Sequence, residues 1–168
     1  ERAKVYAVDA NSGVGLWSVV VDTHALARIV GAPVYYDGRL FVPVSSAEES
    51  AARNPQYACC TFRGGLAALD AATGKLLWKS HSIQDEPPPV RISSAGAQMH
   101  GPAGGAIWSA PTIDVQRRLI YVATGNSYTD VDADGSDAIV AFDLDTGERR
   151  WANQLTRGDN FATGWPKD

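Results

Sequence analysis

No apolar run in this 168-residue chain approaches the length of a membrane span, so a transmembrane helix is excluded. Basic excess is missing too. Fifteen Lys and Arg face 19 Asp and Glu, and the net charge of −4 argues against a nucleic-acid partner. Low-complexity sequence is confined to Pro87-Pro88-Pro89. No glycine cluster makes a phosphate loop. Cysteine is scarce: only Cys59 and Cys60, which are adjacent, so their number leaves the redox compartment open. His81 and His100 lack the spacing that would make a zinc site with them.

What is plentiful is glycine and proline, 16 and 9, beside a hydrophobic content of 45%. That suits many turns and a sizeable core. The turns are ordered by a repeat. Tyr6-Ala-Val-Asp9 leads to Gly13 and Trp17, Ala68-Leu-Asp70 to Gly74 and Trp78, and Ala141-Phe-Asp143 to Gly147 and Trp151. In each copy Gly stands four residues after Asp, and Trp four after Gly. Alternating apolar residues precede the Asp, and β-rich residues follow the Gly. Each copy therefore reads as strand, tight turn, strand. The Asp carboxylate accepts a turn N–H and the Gly supplies positive φ.

A second hairpin lies between copies: Pro33–Val44, with the Asp37-Gly38 turn, and Pro111–Val122. A unit is thus four antiparallel strands, A to D, which is a propeller blade. The fold class expected is all-β, a partial β-propeller of about two and a half four-stranded antiparallel blades. Residues 1–22 are strands C and D of a half blade, 33–81 and 108–156 are full blades, and 157–168 are a tail. The recurrent Trp is expected to pack between blades. A propeller closes with roughly 4–8 blades. The chain starts inside a repeat without signal peptide or cap, so it is expected to be part of a larger protein or of a multi-chain ring.

Three long connections remain: Ser45–Gly64, Ser80–Ser109 and Gly125–Asp137. The first and third join strands B and C, and the second joins D to the next A. In an up-and-down blade these emerge on one face and the short turns on the other. Sites are usually built on such loops. Ser45-Ser46-Ala47-Glu48 follows one strand B, and Gly125-Asn126 follows the next. Glu48 and Asn126 are hard oxygen donors suited to calcium; a solvated Glu and a turn Asn is the plainer alternative. Trp108 is out of register with the repeat and follows a glycine-rich stretch, so it either turns inward toward a flat ligand or enters the core. Trp165 is also out of register. Cys59-Cys60 forms either a vicinal bridge, which would make a rigid hydrophobic platform, or two separate thiols. Asp159 follows the last strand D, as a general base or as a solvated cap. Arg28 precedes a strand A and can pair with a ligand carboxylate. His24 and His100 either line the mouth or are structural.

These residues together resemble the pyrroloquinoline quinone (PQQ)-dependent alcohol dehydrogenases. The Ala-x-Asp-x-x-Thr-Gly-x-x-x-Trp repeats, Ser45-Ser46-Ala47-Glu48, Trp108 and Thr124-Gly125-Asn126 carry the resemblance, with Asn126 placed 18 positions after Trp108. Tyr57-Ala58-Cys59-Cys60 through Gly64, and Gly158-Asp159-Asn160-Phe161, look most like the polyvinyl alcohol dehydrogenase members. The resemblance implies PQQ-type repeats, PQQ stacked on Trp108, Ser45, Ser46, Ala47 and Arg28 beside the cofactor, and calcium bound by Glu48 and Asn126. It also implies an alcohol substrate, small or polymeric, an electron acceptor such as cytochrome c, and a periplasmic or secreted location. Cys59-Cys60 does not match the family's adjacent cysteines, which lie in an earlier blade. Val30 stands where those enzymes have a cofactor-contacting Thr. Their catalytic Asp follows an aromatic residue; here Phe161 is followed by Ala162, and Asp159 is the nearest acid. A cofactor-free propeller scaffold built from the same repeats is the competing expectation. Self-association through exposed blade flanks is expected of the chain by itself.

Overall fold

The computed structural model describes residues 3–158 of the chain. Its first strands, β1 (Lys4–Val8) and β2 (Gly15–Val20), pair antiparallel as a hairpin with a bulge between Ala7 and Val8. A larger sheet follows. β3 (Ala27–Arg28) and β4 (Val34–Tyr36) both pair with β5 (Arg39–Ser46), which is joined in turn by β6 (Gly65–Asp70) and β7 (Leu76–His81). A one-turn helix, α1 (Glu48–Ala51), leaves the end of β5. Between this sheet and the next stands a two-stranded hairpin of β8 (Pro89–Ile92) and β9 (Gln98–His100). The last sheet is β10 (Thr112–Asp114), β11 (Leu119–Ala123), β12 (Ala138–Asp143) and β13 (Arg149–Gln154), in sequence order and antiparallel throughout.

The three Asp-Gly-Trp copies fold alike because the same local hydrogen bonds form in each. Asp9, Asp70 and Asp143 accept the backbone N–H of Ser12, Thr73 and Thr146, each at 2.8 Å, and also their hydroxyls. Gly13, Gly74 and Gly147 take φ of 72°, 74° and 74°, a region that side chains disfavour. Two of these glycines have a further role. A Cβ on Gly74 would lie 2.5 Å from Trp17 Cε3, and one on Gly147 would collide with Trp78. Trp17 and Trp78 therefore each lie on the turn glycine of the following blade. Trp17 Nε1 donates to Ala71 O at 3.2 Å. At the next junction Arg39 Nη1 takes the equivalent carbonyl, that of Leu144, at 2.9 Å.

Strand alternation divides the core. On β6, Leu66 and Ala68 face one cluster with Phe41, Ile120, Val122, Val140 and Phe142. Ala67 and Leu69 face the other, with Val5, Val42, Val44 and the loop residues Phe62, Met99 and Tyr128. The first cluster lies between the two large sheets. The second reaches from the β1–β2 hairpin to the capping loops, so the loops that would carry a site are packed on the core.

Three features depart from the expected pattern. Strand A of the central sheet is split into β3 and β4. Gly31, in the gap, has no room for a Cβ, which would lie 2.8 Å from Ser109 O and 2.9 Å from Pro43 Cγ. The connection Ser80–Ser109 was expected to be irregular but contains β8 and β9, turned by Ser93 and Gly96 (φ 83°) and anchored by buried Met99. The segment after β5 forms α1 rather than an irregular loop.

Candidate functional site

The end of β5 gathers much of the expected site. β3 pairs Ala27 with Ser46 and Arg28 with Ser45. Ser45 and Ser46 are buried, and their hydroxyls serve the protein: Ser45 Oγ donates to Arg28 O at 3.3 Å, and Ser46 Oγ accepts Glu48 N–H at 2.9 Å. Ala47 N–H donates to Leu26 O. Arg28 folds back, donating from Nη1 to Ala27 O at 2.8 Å. Ile107 N–H donates to Val44 O, which brings Trp108 beside the same strand end.

Trp108 is 40% exposed, so a large flat ring is open to solvent on the loop side of the core. A Cβ on Gly125 would stand 2.7 Å from its Nε1, so only glycine lets the indole rest there. Asn126 follows directly. Its Nδ2 donates to Ser127 O at 2.9 Å and stands 3.4 Å from Glu49 Oε1. The structure thus brings together Trp108, Asn126 and Glu49.

Glu48 is placed differently. It is fully buried. Its Oε1 accepts Tyr57 O–H and Thr61 N–H, both at 3.0 Å, and its Oε2 accepts Phe62 N–H at 2.8 Å. His24 Nε2 lies 3.4 Å from Oε1. Burial alone would raise the carboxyl pKa, but the hydrogen bonds from His24, Thr61 and Phe62 outweigh it and hold the value below the ordinary range. Tyr57 is pushed up by burial and by the Glu48 charge. Tyr128, two residues after Asn126, is raised by burial and then by Glu49 and Glu48. Its hydroxyl is buried with no hydrogen-bond partner among the described residues.

Cys59 and Cys60 are joined by a disulfide across a cis peptide and are buried, so they form no open platform. His100 exchanges backbone hydrogen bonds with them, and its Nδ1 lies 3.2 Å from Pro87 O, a structural role. His24 packs on Phe62 and Glu48, and lines a cavity of about 280 Å³ with Asp22, Arg63, Lys79 and His81. Burial, then the charges of Arg63 and Lys79, lower the His81 pKa to about 4. Asp159 and Trp165 lie outside the described residues. Among those described, no three His, Cys, Asp or Glu side chains form a metal-holding group.

Glu49 and Tyr128 were not singled out in the sequence, and Tyr57 only as part of the family resemblance. The signal for Glu49 was its adjacency to Glu48 at the strand end, and for Tyr128 its place two residues beyond Asn126.

Four-stranded antiparallel sheets repeated along the chain, docked Trp on Gly, define a β-propeller, with its irregular loops gathered around an exposed Trp. The family model described as PQQ: Glucose/ethanol/alcohol dehydrogenase, beta-propeller domain, matches residues 22–166, and the chain belongs to that family. It is 52% identical over 161 residues to a polyvinylalcohol dehydrogenase of Pseudomonas sp, covering 96% of this chain and 25% of that relative. It is equally 52% identical over 162 residues to the polyvinylalcohol dehydrogenase of Sphingopyxis sp. (strain 113P3), again covering 96% and 25%. Among solved structures, the quinohemoprotein alcohol dehydrogenase ADHIIG from Pseudomonas putida HK5 superposes with a TM-score of 0.71 at 26% identity, covering 95% of this chain and 25% of that one. The chain therefore spans about a quarter of the length of the relatives it matches.

Proposed function

We propose that this chain is a section of a PQQ- and calcium-dependent alcohol dehydrogenase that oxidises an alcohol, polymeric or secondary, to a carbonyl. The observation that carries the reading is the exposed Trp108 indole seated on Gly125, with Asn126 and Glu49 beside it. The residues fit the cofactor in kind: a flat apolar surface for a fused ring system, and hard oxygens for calcium at its edge. PQQ supplies the two-electron acceptor, and calcium the Lewis acid that polarises it.

The chain's own residues bind and orient. Trp108 is the floor beneath the ring. The β3–β5 corner, with Arg28, Ser45, Ser46 and Ala47, is the wall, and Arg28 is the cation available to a ring carboxylate. The metal edge comprises Asn126 and an α1 carboxylate. Oxidation of the alcohol would require a base for its hydroxyl proton, and the bound cofactor would supply the acceptor for its hydride. Asp159 is proposed as that base. An acceptor such as cytochrome c and a periplasmic or secreted location belong to the same reading. Among the described residues no helix is long and apolar enough to cross a membrane.

The test is PQQ binding by the full-length protein with calcium present. PQQ should quench Trp fluorescence, and Trp108→Ala should abolish most of that quenching without unfolding the protein. The cofactor-free scaffold has one observation in its favour, the commitment of Glu48 to protein donors. It requires that the full-length protein show no quenching at all.

A further inference from the structure

We propose that the cavity beside His24 is a second alcohol subsite, which takes hydroxyl groups further along a chain of secondary alcohols while one carbinol of the same chain is oxidised over Trp108. This rests on the alcohol-oxidising reading above and names its class of substrate, a neutral and flexible polyol.

The cavity, of about 280 Å³, opens where three segments meet: residues 22–24 after β2, residues 61–63 before β6, and Lys79 and His81 at the end of β7. All are strand ends or connections on the loop face, the face that carries Trp108. His24 and Thr61 line the cavity and also reach the candidate site. His24 Nε2 lies 3.4 Å from Glu48 Oε1, and Thr61 N–H donates to the same oxygen at 3.0 Å. A chain molecule could therefore occupy both places. At about 30 Å³ per heavy atom, the share of a water in its liquid, the volume holds about nine heavy atoms, or about three CH2–CHOH units.

The chemistry of the lining selects the ligand. Its charges are paired internally: Lys79 Nζ meets Asp22 Oδ2 at 2.7 Å, and Arg63 pairs with Glu86 and donates to Gln84 O at 2.7 Å. An added anion or cation would have to break one of these pairs, whereas a neutral ligand leaves them intact. Hydrogen-bonding capacity remains. Lys79 gives Asp22 one of its three hydrogens. Leu26 N–H donates to His24 Nδ1 at 3.2 Å, so His24 carries its hydrogen on Nε2, 3.1 Å from Thr61 Oγ1. Thr61 Oγ1 thus accepts, and its own hydroxyl hydrogen is left to donate. His81 Nδ1 is buried with no hydrogen-bond partner among the described residues. A buried polar atom in that state marks a place where a ligand or water belongs. With its pKa at about 4 the His81 ring is neutral near pH 7. A carboxylate only accepts and an ammonium only donates, but a hydroxyl does both. It can therefore serve Lys79, Thr61 and either tautomer of His81.

The experiment uses the full-length protein, with poly(vinyl alcohol) as the polyol and propan-2-ol as an alcohol too short to reach both places. Polymer binding is measured by calorimetry without cofactor, and turnover of both alcohols with PQQ and calcium loaded. Thr23→Phe sets a ring at the exposed rim of the cavity, and His81→Phe removes the ring nitrogens at nearly constant shape. Each should weaken polymer binding about tenfold and raise the polymer KM about tenfold, the effect of losing one or two hydrogen bonds. The polymer kcat, and kcat/KM for propan-2-ol, should stay within about twofold of the parent. The subsite is overturned if both variants bind and oxidise the polymer like the parent. It is overturned equally if they lose propan-2-ol turnover in the same proportion, or if inorganic phosphate displaces the polymer from the parent. A parent that binds the polymer but oxidises neither alcohol sinks the alcohol dehydrogenase reading, and the calorimetry of the two variants then decides the subsite by itself. A parent that binds no polymer sinks the subsite, and turnover of propan-2-ol decides that reading separately.

Discussion

Trp17 and Trp78 each cover the turn glycine of the following blade, whereas Trp151 is 42% exposed. The same residue type at the same repeat position thus carries different weight. Truncating a packed Trp loses apolar burial and leaves a gap. Trp78→Ala should cost about 3 kcal/mol of stability by chemical denaturation, and Trp151→Ala under about 1 kcal/mol. Gly147→Ala should also destabilise, because its φ of 74° and the indole above both oppose a Cβ. Equal losses for Trp78→Ala and Trp151→Ala would refute the docking argument.

Two buried groups give the molecule separate acid responses. The His81 pKa is lowered to about 4 by burial and by neighbouring Arg63 and Lys79. A histidine with a depressed folded pKa contributes stability above its unfolded value of about 6.5, and that stability is lost as pH falls toward about 4. Glu48 is also depressed, so its contribution is present above about pH 4.3 and is lost as pH falls further. His81→Phe should flatten the melting temperature between about pH 6.5 and 4. Glu48→Gln should flatten it only below that window. Melting curves across pH 3 to 8 separate the two.

At the scale of elements, what was legible in the sequence was local. Asp-x-x-Thr-Gly turns and Asp37-Gly38 are written in consecutive residues, so the hairpins they close, and their pairing into four-stranded sheets, could be read directly. The split of strand A was not legible, because it depends on Gly31 meeting Ser109, a residue 78 positions away. The β8–β9 hairpin was hidden for a similar reason: it is secured by Met99 and Ala97 in a shared core rather than by a strong turn signal. In the site, the order Glu, Trp, Asn was readable, but not which Glu faces Asn126. That choice depends on one helical turn and on donors 9 to 14 residues later. Hydrogen exchange should follow this division. Amides of β6, buried and paired on both sides, should exchange slowest. Those of β8, which among the described residues pairs only with β9 and exposes Val90 and Ile92, should exchange much faster.

For the whole molecule, the two flanks decide behaviour in solution. On one, Tyr6, Val8, Val14 and Leu16 of the first hairpin are each about 60% exposed. They adjoin Gly13, around which a Cβ would meet nothing within 4 Å. On the other, Trp151 stands open beside Tyr121, with ring centroids 5.8 Å apart. Inside the molecule, the matching surfaces are closed by an indole seated on a turn glycine. One flank offers the open seat and the other the unseated indole, so two copies can satisfy each other head to tail. A head-to-tail contact does not close after two copies unless the rotation allows it. The 168-residue chain by itself should therefore show concentration-dependent association in sedimentation velocity. Leu16→Lys and Trp151→Lys, one on each flank, should each reduce it, because charge placed at the centre of an apolar contact must be desolvated on association. A monodisperse monomer at every concentration would mean that the chain hides these flanks by some other arrangement. Association unaffected by both substitutions would place the contact elsewhere, and the open seat at Gly13 would then have no part in it.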